Sequence, residues 1–452
     1  MAFACAAFVA CADGTDQDVV PQGGGSEGGG GAGGGASTEP RPIDIHVDDA
    51  LGLTVAFLGY PLEGVTVLTH DATGRLLDEK ITDGKGNTTI LAIDGGFVSV
   101  AKFNPNYNGF EPEHVYQRLI SVRVVDGMST LRIPVASDRR IESVSEPMAV
   151  DISWPAVPNA SGYSISLSCL YGQYVEAPAT SVTIASYRGC PLQTTFDVAI
   201  EAYVASEDGL GTETVRYGYR TGVEYEPGAE QTVVIDELSA GTSATISALG
   251  LENTMEVDDF RSGRVAPGAM VVGLSSPTSV SEGANGLDIA YAAPNLEGLP
   301  LWTLGRLDPF ECGNMAFSSV TEGPEDMAID PQRLAMATSA NDGFWMLGPG
   351  DLGDAIRFDA EWNDQVNMSV LWVVYEPPSR DGARIPKLEM PEDLQYVYGP
   401  LEILADVTPL PQPIDILEAD DFVGFFDLFQ SGVPHHMELR LRDPDCDPYN
   451  WE

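Results

Sequence analysis

The apolar residues of this chain come in short β-branched runs cut by turn residues, and that pattern limits its fold more than any other. LTVAFLG at 53–59, GVTVLT at 64–69, GFVSVAKF at 96–103 and LISVRVV at 119–125 are such runs, bounded by Gly, Pro, Asn and Asp. Runs of about 4–8 residues are too short for an amphipathic helix, and a 3.6-residue period is nearly absent over longer windows. Turn signals recur at the spacing of sandwich strands. The expected fold class is therefore all-β, with tandem β-sandwich domains. A length of 452 residues allows about three domains, and 43% hydrophobic residues give each a core to bury.

Charge narrows the partners. Lys and Arg number 23 against 68 Asp and Glu, a formal net of −45. Such a surface repels phosphate backbones and anionic headgroups, which excludes nucleic acid held by a bare electrostatic footprint. It suits a hydrated, soluble surface in saline surroundings.

At the N-terminus, Ala2–Ala10 is small and apolar and runs into Cys11, preceded by Val9 and Ala10. This resembles the end of a bacterial lipoprotein signal peptide, in which small residues precede a cysteine that becomes lipidated. The resemblance implies removal of 1–10, a lipid on Cys11, and membrane contact through that lipid. Residues 12–41, including GGGSEGGGGAGGG at 23–35, have almost nothing to bury and read as a disordered Gly-rich linker. As a flexible coil of about 30 residues it would span roughly 30 Å. No segment has the run of about 18 apolar residues that a transmembrane helix needs.

The cysteines fit the same compartment. Of the six, Cys5 would leave with the signal and Cys11 would take the lipid. Cys169, Cys190, Cys312 and Cys446 remain as disulfide candidates, the first two within one expected domain and the last two within another. Each crosslink would add roughly 3–5 kcal/mol on the chain-entropy model. None has the spacing of a CxxC zinc or redox site.

Two stretches resemble known domain families. In 58–98, the strand Pro61-Leu-Glu-Gly-Val-Thr-Val67 precedes a hairpin turn, and Thr82, Asp83 and Gly86 open the next strand. This resembles the carboxypeptidase regulatory-like domain, a transthyretin-like sandwich, and implies that fold over 42–140. Turn chemistry agrees, since Asp71-Ala-Thr-Gly74 and Asp83-Gly-Lys-Gly86 supply side-chain caps and positive-φ residues. Residues 143–240 resemble a fibronectin type III domain. VDISWPAVPNASGYSISLSC places Trp154 in an early strand and Tyr163 at the start of the next, and LQTTFDVAIEAYVASEDGLGTET matches its late paired strands. Phe196 stands where that family has its corner tyrosine. Trp154 and Tyr163 are expected in the core.

Residues 241–452 read as a further β-rich domain whose type the sequence leaves open. IRFDAEWNDQVNMSVLWVVYEP at 356–377 echoes the Trp-turn-strand pattern of 150–168, and Asp420 and Asp421 could cap a short helix over 420–429. Trp302, Trp345, Trp362 and Trp372 are the aromatic candidates for a carbohydrate platform there, each more often core than platform.

Sequence patterns for chemistry are sparse. There is no GxSxG elbow, P-loop, GxGxxG or HExxH, so no catalytic residue is assigned. The five histidines are His46, His70, His114, His435 and His436; adjacent ones on a strand face opposite sides and chelate poorly. In RDPDCDPYN, Asp443, Asp445 and Asp447 alternate like the opening of a calcium loop. Pro448 then takes the place of the turn glycine, and the alternative is a solvated acidic tail pinned by Cys446. Calcium is thus the one cofactor the sequence admits.

These readings point to a non-catalytic, extracytoplasmic lipoprotein of the outer membrane or cell surface. It would present immunoglobulin-like and fibronectin type III-like sandwiches to a protein or carbohydrate ligand, for adhesion or envelope architecture. The alternative is a secreted hydrolase or carbohydrate-active accessory protein with its binding or catalytic region after residue 241.

Overall fold

A computed structural model describes the chain between residues 39 and 441 with interruptions, the longest at 50–59, 105–114, 265–278, 395–411 and 417–434. The first unit contains β1 (Arg41–Asp49), β2 (Tyr60–Pro61), β3 (Thr66–His70), β4 (Leu76–Ile81), β5 (Asn87–Ala92), β6 (Phe97–Asn104), β7 (Val115–Arg123) and β8 (Thr130–Val135). Period-two alternation makes β1: Ile43, Ile45 and Val47 are at most 1% exposed, while Asp44 and His46 lie on the other face. β1 pairs antiparallel with β5 and parallel with β8. The turns form as their sequences dictate. Asp71 Oδ1 accepts from the Thr73 and Arg75 amides at 2.9 and 3.0 Å, and Asp83 Oδ1 from Lys85 and Asn87 at 2.8 and 2.9 Å. Gly86, at φ +72°, must be glycine, because a Cβ there would sit 2.5 Å from the Val47 carbonyl oxygen.

The opposing sheet runs β4-β3-β6-β7 and continues past β7. Strand Met368–Glu376 lies parallel to β7, from Val115 opposite Met368 to Val122 opposite Tyr375. Beyond it come Ala355–Asn363, Gln412–Ile416, His435–Leu441, Asn314–Thr321, Leu301–Asp308 and Glu256–Arg264, eleven strands in one sheet. Both faces of its β3-β6-β7-(368–376) part are dry. One face, with Val67, Val98, Val100, Ile120, Val122, Leu371 and Val373, forms a single core with β1 and β8. The other carries His70, Phe97, Ser99, Ser121, Trp372 and Val374, all at most 2% exposed. Two-sided burial explains the continuous apolar texture of LISVRVV and LWVVYE, which differs from the alternation of β1.

The second unit comprises β9 (Ser143–Ser153), β10 (Gly162–Leu167), β11 (Leu170–Glu176), β12 (Ser181–Arg188), β13 (Thr195–Ala205), β14 (Thr212–Glu224) and β15 (Glu230–Val234). It has two sheets, β11-β10-β13-β14 and β12-β9-β15. Trp154 and Tyr163 lie between them, 5% and 1% exposed, with ring centroids 5.2 Å apart. The Tyr163 hydroxyl accepts from the Val157 amide at 3.0 Å. Phe196, 1% exposed, joins the same core.

A third core gathers Ile246, Ile289, Tyr291 and Ile329 around Thr242–Leu249, which pairs with Gly286–Ala293 and Met327–Ile329. Described residues after 241 thus contribute both to this core and, through Ala355, Leu371, Val373 and Tyr375, to the first. The echo at 356–377 is a true hairpin, Ile356 opposite Glu376 through Asn363 opposite Ser369, built into the long sheet. The segment expected to be helical, 420–429, lies outside the described residues.

Candidate functional site

Strand register alone assembles a polar face on the first unit. Across β5, β1 and β8 it sets Thr89, Asp44 and Thr130 in one row and Asn87, His46 and Arg132 in the next. Their side chains line an open depression of about 570 Å³, with Asp83 at its margin. Thr89 Oγ1 donates to Asp44 Oδ1 at 2.7 Å. Asp48, 3% exposed, is the buried hub: its Oδ1 lies 2.7 Å from His46 Nε2, and Arg132 Nε donates to its Oδ2.

His46 faces acceptors on both sides, since Nδ1 is 2.7 Å from the Asn87 amide oxygen while Nε2 meets the carboxylate. A doubly protonated ring suits both, so the bond to Asp48 holds the imidazole pKa above its ordinary value, with Asn87 adding to the effect and partial burial opposing it. The site therefore offers a guanidinium, an imidazole, the carboxylates of Asp44 and Asp83, and the hydroxyls of Thr89 and Thr130 around one depression. That chemistry suits the binding of a polar, hydrogen-bonding ligand.

A second set of polar groups is structural. His70 is fully buried. Its Nε2 lies 2.8 Å from the Glu389 carbonyl oxygen, and burial lowers its pKa. Glu389 also donates its amide to the Gly74 carbonyl at 2.8 Å and accepts from the Leu76 amide at 3.1 Å. Residues 385–390, anchored by buried Ile385, Leu388 and Met390, thus strap the turn between β3 and β4. Trp372, 2% exposed, donates from Nε1 to Ser121 Oγ at 3.0 Å and is core, not a platform.

Of the other residues singled out from sequence, Cys11, Cys169, Cys190, Cys312, Cys446, His114, Asp443, Asp445 and Asp447 lie outside the described residues. Trp302, Trp345, Trp362, His435 and His436 sit on strands, and their own side chains lie outside the description. Among the described residues, no group of three or more His, Cys, Asp or Glu could hold a metal ion. Sequence reasoning passed over Asp48 and Arg132 and gave His46 no role. The alternation in IDIHVDD carried half of the signal, placing Asp44, His46 and Asp48 on one face; the pairing with Arg132 is non-local.

No protein-family model and no curated sequence matches this chain. Among solved structures it is similar to the shaft pilin SpaA from Lactobacillus rhamnosus GG, at 8% identity and TM-score 0.14, over 44% of this chain and 98% of that one. It is also similar to the fimbrial anchor protein Mfa2 from Porphyromonas gingivalis, at 13% identity and TM-score 0.16, over 39% and 78%. A putative adhesin from Bacteroides ovatus aligns at 7% identity and TM-score 0.14, over 45% and 93%.

Proposed function

We propose that this protein is a non-catalytic surface lipoprotein. Cys11 carries the lipid, residues 12–40 form the tether, and the β-sandwich body from Arg41 onward is held off the membrane as a binding or architectural element. The observation that supports this reading is the abrupt change of texture at residue 41. The Gly-rich stretch gives way at once to β1, whose Arg41 donates to the Val125 carbonyl at 2.8 Å and to that of Met128, and pairs with Asp94 at 2.8 Å. A tether ending in a pinned strand transmits position to the body without ordering itself. The polar face around His46 and Arg132 is the binding surface of the first unit, for a protein or carbohydrate ligand.

The test is mass spectrometry of the protein recovered from its own membranes, beside a Cys11→Ser form. We expect a mature N-terminus at acylated Cys11, and release of the Ser form into the soluble fraction. Residues 1–10 still attached, with equal membrane recovery of both forms, would overturn the reading. A glycan array probed with the tetherless body separates carbohydrate from protein as ligand.

A further inference from the structure

In the first and second units and around the third core, the strand that opens a stretch of chain lies parallel to a strand that closes it. β1 runs beside β8, from Asp44 opposite Thr130 to Asp49 opposite Val135. β9 runs beside β15, from Ala149 opposite Glu230 to Ser153 opposite Val234. Thr242–Leu249 runs beside Met327–Ile329, from Ile246 opposite Met327 to Ala248 opposite Ile329. Parallel neighbours need a crossover and pair slightly less stably per residue than antiparallel ones. The chain nevertheless places one at the same point of each unit.

That placement decides how a unit responds to tension along the chain. A pull enters β1 at its N-terminal end and leaves β8 at its C-terminal end, so the two strands are dragged past one another along their common axis. The evenly spaced bonds of the ladder are then strained together and must fail together. If the last strand were antiparallel to the first, both pulled ends would lie at one end of the pair, and the bonds would open singly. Rupture under force follows the unfolding rate, not equilibrium stability, so loading geometry can raise resistance without deepening the native well. Side chains reinforce the entry. Arg41, the first residue of β1, is bonded to Val125, Met128 and Asp94, which pins the tether end of β1 to the turn leading into β8. At the exit of the second unit the Ile235 amide donates to the Ser153 carbonyl at 2.9 Å, carrying the ladder one step past β15.

We propose that these parallel strand pairs are tension-bearing contacts, each built to resist a pull that enters its first strand and leaves its last, and that they carry load from the anchored N-terminus into the body. The load-carrying role rests on the anchored reading given above. Directional resistance does not, so pulling and lipidation experiments can fail separately.

Single-molecule pulling on the full chain tests it, with click handles at two sites and no change within the strand pair. Handles at Glu39 and Ser137, the latter between β8 and β9 in sequence, shear β1 against β8. Handles at Glu39 and Asp126, the latter exposed in the turn before β8, part the same two strands from their N-terminal ends. We expect a rupture force several-fold higher for the first pair of handles. Equal forces in the two geometries, or a higher force in the second, would overturn the proposal.

Discussion

Arg123 and Glu376, 253 residues apart in sequence, are joined by a two-armed ion pair, Nη2 to Oε1 at 2.5 Å and Nε to Oε2 at 2.8 Å. The pair sits at the end of the parallel ladder between β7 and 368–376. The guanidinium also donates to the Gly95 carbonyl at 2.8 Å and lies 3.8 Å over the Phe97 ring. Burial pushes the Glu376 carboxyl up while Arg123 pulls it down. A chain segment recruited from far along the sequence is thus keyed to the first unit by one charge pair as well as by a strand.

Removing one partner leaves the other buried and alone. Arg123→Met should cost about 3–5 kcal/mol, read as a lower urea midpoint. The double variant Arg123→Met, Glu376→Met should recover much of that loss, because no uncompensated charge remains. If the double variant is as unstable as the single, the pair acts through shape and not through charge.

Gly74 lies at φ +87°, and a Cβ there would stand 1.9 Å from the Lys387 carbonyl oxygen. Gly74→Ala must therefore move the strap at 385–390 as well as strain the turn, a cost of about 1–3 kcal/mol. Hydrogen exchange should accelerate at Glu389, whose amide donates to the Gly74 carbonyl, and at Leu76. Unchanged protection there would show that the strap is not held through this turn.

The two described histidines oppose one another in pH dependence. For His46 the folded pKa is raised above 6.5. Its contribution is full below 6.5 and is lost as pH rises through the folded value. For His70 the folded pKa is lowered by burial, with Glu389 and Asp71 pulling weakly the other way. Its contribution is full above 6.5 and is lost as pH falls. Urea midpoints between about pH 5 and 8 should therefore fall more steeply toward acid in His46→Gln than in the parent. In His70→Gln the acid end should become the more stable one. Parallel curves for the parent and both variants would refute both assignments.

Trp372→Phe keeps most of the buried ring but removes the bond to Ser121 Oγ, itself 2.8 Å from Ser99 Oγ. The expected loss is about 1–3 kcal/mol. Ser121→Ala in the same background should then cost less than in the parent, the remainder being the lost bond to Ser99 Oγ, as a double-mutant cycle would read.

Local chemistry was legible from the residues alone. The short β-branched runs, the alternation of Ile43, Ile45 and Val47 with polar neighbours, and the Asp-led turns at 71–74 and 83–86 each act within a few residues. The all-β class follows from them, whereas the core places of Trp154 and Tyr163 were expected from the fibronectin type III resemblance. Tertiary structure alone decided which strands meet. The drive to bury an apolar face does not say against which distant segment it is buried, so nothing in LISVRVV names LWVVYE as its neighbour. The cluster of His46, Asp48 and Arg132 and the pair of Arg123 with Glu376 depend on sheet register, a non-local quantity that a one-residue slip would reverse.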